Sequence, residues 1–331
     1  MKIGIVNNCL RGETRVAATP ETVKKMIENG HEVSVEHGLG EASGFDDLLY
    51  QSAGAKLQNR DFVLNADIIL SVVPPKKTDL HFFKSGQWLI CDLSGFDDKA
   101  DMQDLVLTDI GVIDLGKMPR ISRAQPMDIL SSQSLIAGYK AATDALSLLK
   151  KTAPLLMTSA GTLFPAKACV VGAGVAGLSA VSVLKRNGAN VIASDIRSES
   201  KAEVESLGGK FVQDIALELK GADILITSAF LSNKKPPLLI KKEQIDEMAQ
   251  NAVVIDMAQG NVEENFKRKD IVFIKDKYFA RKLAKCASEL FSNNVYAFLK
   301  AFDYLQKIPP DDEILRSTLI CSDGFLIKAI K

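Results

Sequence analysis

The sequence predicts an α/β protein made of two doubly wound parallel-sheet domains with an interdomain cleft. Three observations carry that expectation. At 331 residues the chain is too long for one ordinary hydrophobic core. Short β-branched runs alternate with helical patterns in two separate series, the order that builds parallel sheets covered by helices. The second series opens on a glycine-spaced turn, Gly172-Ala173-Gly174-Val175-Ala176-Gly177, set between a strand and a helix, so the lobes are expected to be Rossmann-like.

The elements follow in order. Lys2–Val6 is a short apolar strand, and Thr19 is placed to cap a helix that starts on Pro20 and stops at Asn29-Gly30. Glu32–Glu36 alternates strictly and reads as a strand; Ala66–Val73 and Trp88–Leu93 read as buried strands, with Gly111–Asp114 a further one. Pro119–Met127 is a polar irregular stretch, and Ile129–Lys151 has the period of a long connecting helix. Thr158–Pro165 reads as a linker. The second series runs through strand Ala168–Val171, helix Val175–Arg186, strand Asn190–Ser194, helix Lys201–Ser206, and strands Ile224–Ser228, Val253–Asp256 and Ile271–Ile274. Ala284–Tyr304 is a second long helix, and Ser317–Ile330 reads as a hairpin turning at Ser322-Asp323-Gly324. The expected division is residues 1–130 plus 304–331 for the first domain and 131–303 for the second, with the two long helices crossing between them.

Bulk properties narrow the class of function. Lysine plus arginine balance aspartate plus glutamate, 41 against 41, with no recurring basic block, which argues against a nucleic-acid or anionic-membrane surface. Five dispersed cysteines without a Cys-x-x-Cys pair suggest reduced thiols of a cytosolic protein. The start, MKIGIVNN, is too short and polar for a signal peptide. Ala168–Leu184 lacks any charge over 17 residues, but its glycines mark a strand-turn-helix rather than a membrane span, so no direct membrane insertion is expected.

Each residue of the glycine motif has a physical task. Gly172 permits the tight turn, Gly174 lets backbone approach a pyrophosphate, and Gly177 lets helix and strand pack closely. The amides of Val175 and Ala176 open the helix and offer phosphate its positive dipole end. Asp195 ends the next strand, 18 residues beyond Gly177, where an acid accepts hydrogen bonds from adenosine ribose hydroxyls. That acid favours NAD over NADP, whereas Arg197 would suit a 2′-phosphate.

The segment Pro119-Arg120-Ile121-Ser122-Arg123-Ala124-Gln125-Pro126-Met127-Asp128-Ile129-Leu130-Ser131-Ser132-Gln133 resembles a signature of the NAD(H)-binding domain of proton-translocating NAD(P) transhydrogenase. Gly12–Pro20 fits both that family and the related alanine dehydrogenases, and residues 171–178, 194–211 and the closing STLICSDGFLIK resemble the transhydrogenase domain. The resemblance implies that Arg120 and Asp128 engage the nicotinamide carboxamide, that Gln125 contacts its ribose, and that Ser131 stands next to them. It further implies a homodimer bearing NAD(H). This would dock on membrane-spanning and NADP(H)-binding subunits and sit at the cytoplasmic face of the inner membrane. Direct hydride transfer between two rings needs no acid or base from the chain.

Alanine dehydrogenase is the rival enzyme, and imine reduction needs proton-transferring groups. As the resemblance implies, that family matches Arg15, but serine stands at its lysine position, Ser71, and Ser94 is nearest to its histidine position. His31, His37 and His81 do not fit that slot, and Lys76 and Lys77 lie too late. Arg15 then reads as an interdomain structural residue. A non-catalytic NAD-binding protein is the other alternative. Three departures from the transhydrogenase pattern stand out. The long insertion expected after Lys210–Asp214 is almost absent, Phe230–Pro237 replaces a Leu-Ile-Pro-Gly run, and Gln259-Gly260-Asn261 keeps one glycine and the asparagine of a Gly-Gly-Asn.

Overall fold

The computed structural model describes residues 1–9, 12–93, 108–230, 235–306, 311–322 and 325–326. Ser94, residues 231–234 of the Phe230–Pro237 run, and the expected turn residues Asp323 and Gly324 lie outside the described residues. The chain divides into two compact units, Met1–Gln133 with Leu283–Lys331, and Ser134–Lys282.

In the first unit, β1 (Lys2–Ile5), β2 (Glu32–Glu36), β3 (Lys56–Gln58), β4 (Ile68–Leu70), β5 (Trp88–Cys91) and β6 (Gly111–Asp114) pair in parallel in the order 3-2-1-4-5-6. Leu319–Ser322 adds antiparallel beside β6, and Phe325–Leu326 pairs on its outer side. The short apolar runs form strands because every residue of β4 and β6 is buried, as sheets covered on both faces require. β3 gives no sign in the sequence because three residues are too few for a full alternation. The helix Pro20–Glu28 starts as its sequence dictates: the Thr22 hydroxyl accepts from the Thr19 amide and donates to the Thr19 carbonyl, both at 3.0 Å. Gly30 then takes the left-handed conformation that ends it.

The helix Ala284–Ala301 belongs to this first unit, whereas the sequence division counts it with the second. Its Phe291, Val295, Phe298 and Leu299 share one core with Ile3, Val33 and Ile68, and burial of these large side chains decides its allegiance. Arg15 likewise finds its partners within the first unit, in Glu13, Gln133 and the Phe291 ring.

In the second unit, β7 (Leu156–Thr158) and β8 (Gly161–Leu163) form an antiparallel hairpin where the sequence suggested a linker. A parallel sheet follows, from β9 (Lys167–Val171), β10 (Asn190–Ser194), β11 (Lys210–Phe211), β12 (Ile224–Thr227), β13 (Val253–Asp256) and β14 (Val272–Lys275), in the order 11-10-9-12-13-14. One core layer packs Ala141, Ala142 and Ala145 of the helix Ile129–Leu148 against Ala180 and Leu184 of the helix Val175–Arg186. The other holds Leu219, Ile245 and Val254. Among the described residues no helix is long and apolar enough to cross a membrane. All five cysteines are free thiols.

Candidate functional site

The glycine turn leaves the C-terminal end of β9, where an open α/β sheet reverses its strand order between β9 and β12. Gly172 has φ +89°, a left-handed conformation costly for other residues, and an added Cβ would meet the Ala229 amide nitrogen at 2.9 Å. Gly177 is tighter still, since its Cβ would lie 1.8 Å from the Gly172 carbonyl oxygen. Gly174 is different. Its φ is −79°, and nothing lies within 4 Å of an added Cβ. No fold constraint of the described residues demands glycine there, but a close-lying anion would. Gly174 is also the N-cap of the helix Val175–Arg186, and no side chain caps it. The amides of Val175 and Ala176 therefore keep the orphan donors that a pyrophosphate takes.

Asp195 follows β10 and closes the turn. Its Oδ2 accepts from the Ala173 amide at 2.7 Å, and its Oδ1 accepts from the Arg197 amide at 2.9 Å and from Arg197 Nε at 3.1 Å. Arg197 also donates to the Ala173 carbonyl at 3.2 Å. Burial works against the Asp195 charge, but the Arg197 side chain and the amides of Arg197 and Ala173 outweigh it and hold the carboxyl below its ordinary range. The acid is thus ionised and ready to accept hydroxyl groups at its edge. Ile196 beside it is almost wholly exposed. In this unit the structure brings Gly172, Gly174, Val175, Ala176, Gly177, Asp195 and Arg197 into one constellation.

The polar loop lies in the first unit. Ser122–Met127 is a 3₁₀ turn, and Asp128 follows it in extended conformation immediately before the helix that starts at Ile129. Asp128 accepts from the Ser131 amide through Oδ1 at 3.0 Å and from the Ser131 hydroxyl through Oδ2 at 2.5 Å, which makes it the capping residue of that helix. Arg120 and Gln125 are exposed. Among the described residues neither side chain has a hydrogen-bonding or ionic partner, whereas Arg123 is paired with Asp312 at 2.5 Å. Sequence reasoning missed Asn294, which anchors the loop: its Nδ2 donates to the Pro126 carbonyl and its Oδ1 accepts from the Ser132 hydroxyl, both at 2.7 Å. An asparagine within a long helical pattern gives no local sign of such a contact.

Ser71 is fully buried, donating to the Val73 carbonyl and, at 3.0 Å, to Asn8 Oδ1. Arg15 is partly buried, with Nε 2.8 Å from Glu13 Oε1 and Nη1 2.9 Å from Gln133 Oε1. Burial opposes its charge, yet Glu13 at contact distance and Asp92 farther off keep it protonated. The connection from β11 to β12 is short and anchored at several points. Ile215 and Leu219 are buried, and the Glu218 carboxylate bridges Lys210 and Lys167 at 3.0 and 3.1 Å.

Comparison with known proteins supports one family across both units. The family model described as alanine dehydrogenase/PNT, N-terminal domain, matches residues 4–137, and its C-terminal counterpart matches residues 141–329. An NAD(P) transhydrogenase subunit alpha chain of Rickettsia prowazekii (strain Madrid E), the first portion of a divided α subunit, is 33% identical over 371 residues, covering 100% of this chain and 97% of its own length. That comparison spans 371 positions against the 331 residues of this chain, so about 40 positions have no counterpart here. The corresponding protein of Rhodospirillum rubrum is also 33% identical, covering 99% of this chain and 98% of its own length. The alanine dehydrogenase of Bacillus subtilis (strain 168) is 28% identical over 80% of this chain and 72% of its own length. Among solved structures, a transhydrogenase from Sinorhizobium meliloti superposes with TM-score 0.91 and 32% identity over 98% of both chains. An L-alanine dehydrogenase shares the fold, with TM-score 0.88 and 20% identity over 98% of this chain and 96% of its own. The chain belongs to the alanine dehydrogenase/PNT family, within which it groups with the first-portion α-subunit chains of NAD(P) transhydrogenase.

Proposed function

We propose that this chain is the NAD(H)-binding component of an NAD(P) transhydrogenase. It would pass hydride from NADH to NADP⁺ held by a partner subunit, with proton translocation coupled in membrane-spanning partners. The observation that carries the reading is Gly174, a glycine that no described neighbour requires, set at an uncapped helix start beside an ionised Asp195. In this reading the Val175 and Ala176 amides bind the pyrophosphate and Asp195 takes the adenosine ribose. Bound nicotinamide supplies the hydride itself. Arg120 and Asp128 engage the carboxamide and Gln125 contacts the ring ribose, while the hydrogen bonds from Ser131 to Asp128 hold the loop on its helix. The chain would sit at the cytoplasmic face of the inner membrane through its partners.

A homodimer fits the hairpin β7–β8. A lone two-stranded hairpin is marginal in water. This one carries Met157 at 75% and Phe164 at 71% exposure, with Leu156 and Leu163 also exposed, an apolar projection that monomers rarely present. A second copy packed across a two-fold axis would bury it. Sedimentation of a Met157→Ser/Phe164→Ser double variant should then show a monomer, and an unchanged dimer would exclude the hairpin as the contact. The alanine dehydrogenase reaction finds less support, because the expected lysine position holds Ser71, whose hydroxyl is already committed to Val73 and Asn8.

The test mixes the purified chain with an NADP-binding partner domain and follows hydride transfer from NADH to an NADP⁺ analogue. Transfer supports the enzyme; tight NADH binding without transfer leaves a non-catalytic nucleotide-binding protein. Asparagine is as good a helix cap as aspartate. Asp128→Asn should therefore slow transfer about tenfold, roughly 1.4 kcal/mol of barrier, while NADH affinity and melting temperature stay near wild type.

A further inference from the structure

The loop after β12 and the turn after β13 hold a device outside the glycine motif. Asn261 is completely buried and uses all its side-chain hydrogen-bonding donors. Its Oδ1 accepts from the Ala229 amide at 3.0 Å, and its Nδ2 donates to the Ala229 carbonyl at 3.0 Å and to the Pro237 carbonyl at 2.9 Å. The carboxamide thus grips both backbone groups of Ala229, as a neighbouring strand would. Asn261 is in turn fixed through its own backbone. Its amide donates to Asp256 Oδ2 at 3.1 Å, and its carbonyl accepts from the Leu239 and Ile240 amides at 2.9 Å each. Asp256 is also without exposure, and its Oδ1 takes the Thr227 hydroxyl and the amides of Ala258 and Gln259 at 3.0, 3.1 and 3.0 Å.

What Asn261 grips is the wall of the glycine turn. The Ala229 nitrogen is the nearest atom to the Cβ position of Gly172, and Ser228 donates from its hydroxyl to the Gly172 carbonyl at 3.0 Å. That same carbonyl is the atom against which Gly177 packs. A chain of contacts therefore runs from Asp256 through Asn261 and Ala229 to Gly172, every link of which is a hydrogen bond or a backbone contact. We infer that Asn261 is a positioning residue for the nucleotide: by clamping Ala229 against Gly172 it sets the height of the pyrophosphate turn without touching the ligand. The inference rests on the nucleotide-binding reading above and deepens it.

The test measures NADH affinity by calorimetry and adenosine affinity by NMR titration, at a temperature well below each protein's melting transition. The proteins are the wild type, Asn261→Ala, Asn261→Asp and Ser228→Ala. Asn261→Asp keeps the acceptor for the Ala229 amide and loses both donors. We expect NADH binding to weaken about tenfold in Asn261→Asp, further in Asn261→Ala, and about threefold in Ser228→Ala. Adenosine, which has no phosphate, should bind every variant as it binds the wild type. Wild-type NADH affinity in Asn261→Asp and Ser228→Ala, or equal losses for adenosine and NADH, overturns the positioning role and reduces Asn261 to a general stabiliser. If Asn261→Ala does not fold, the other two variants decide the matter. Failure of the wild-type chain to bind NADH overturns the nucleotide reading itself, an outcome separate from the comparison among variants.

Discussion

The two units wind their sheets in the same serial order, 3-2-1-4-5-6 in the first and 11-10-9-12-13-14 in the second, yet they finish the crevice at the turn in different ways. The likeness extends to a hydrogen bond. Two residues beyond β1, the Asn7 amide donates to Glu36 Oε2 at 2.7 Å, just as two residues beyond β9 the Ala173 amide donates to Asp195 Oδ2 at 2.7 Å. In each case an acid at the end of the neighbouring strand ties down the chain leaving the first. There the parallel stops. Arg60 fills the space over Glu36, 2.8 Å from it and 2.8 Å from Asp79, and donates to the Asn7 carbonyl at 3.0 Å. Burial dominates at Glu36 and raises its carboxyl above the ordinary range, although the Asn7 amide and Arg60 pull the other way. At Asp195 the hydrogen bonds win. The first unit places no glycine directly after β1 and begins its helix only at Pro20. Topology supplies the crevice, and the residues at its rim decide whether a ligand can use it.

The sharpest way to break this contrast is Gly174→Val. The backbone there suits any residue and no neighbour lies within 4 Å of an added Cβ, so the melting temperature should hold. NADH affinity should fall about 100-fold as the side chain occupies the place of the pyrophosphate, read by calorimetry. Retained affinity would show that nucleotide does not approach this turn.

Arg60→Met probes the other rim. It leaves Glu36 and Asp79 facing each other without their shared cation, which should cost about 2 kcal/mol in chemical denaturation. NADH affinity should change by no more than about twofold, because Glu36, Arg60 and Asp79 are not among the residues of the proposed site. A large loss of NADH binding would mean that the first crevice contributes to the nucleotide site.

The smallest effect is electrostatic. Burial, with the nearby Asp92 charge, pushes the Asp114 carboxyl up to about 6, against hydrogen bonds from the Leu93 and Gly116 amides. Folded Asp114 therefore holds a proton that the unfolded chain has already released, and stability should fall as pH rises from about 4 to about 6. Asparagine keeps the Oδ1 that accepts from Leu93 and Gly116. Asp114→Asn should flatten that part of the stability profile and gain about 1–2 kcal/mol at pH 8 relative to wild type, measured by denaturant midpoints across pH. A profile as steep as wild type would assign the pH dependence to another group.

Much of the molecule was legible in its residues. The strand-glycine-helix-strand-acid run fixed β9, its turn, β10 and the place of Asp195, because each step is a local requirement of backbone geometry written in adjacent residues. The alternation of apolar runs gave the class of both sheets. The hairpin β7–β8 was not legible, since its apolar residues face solvent and so lack the half-buried alternation that marks a strand.

What tertiary structure alone decided concerns contacts between residues far apart in the chain. The sequence determined that a glycine turn stands at the head of a parallel sheet, because positive φ and close packing permit so few side chains there. It could not determine that Ala284–Ala301 completes the first core, that Asn294 steadies the polar loop across 168 positions from Pro126, or that Asn261 braces Gly172 through Ala229. An asparagine carries the same two donors and one acceptor wherever it occurs. Only the fold brings to it the particular amides and carbonyls that it must satisfy.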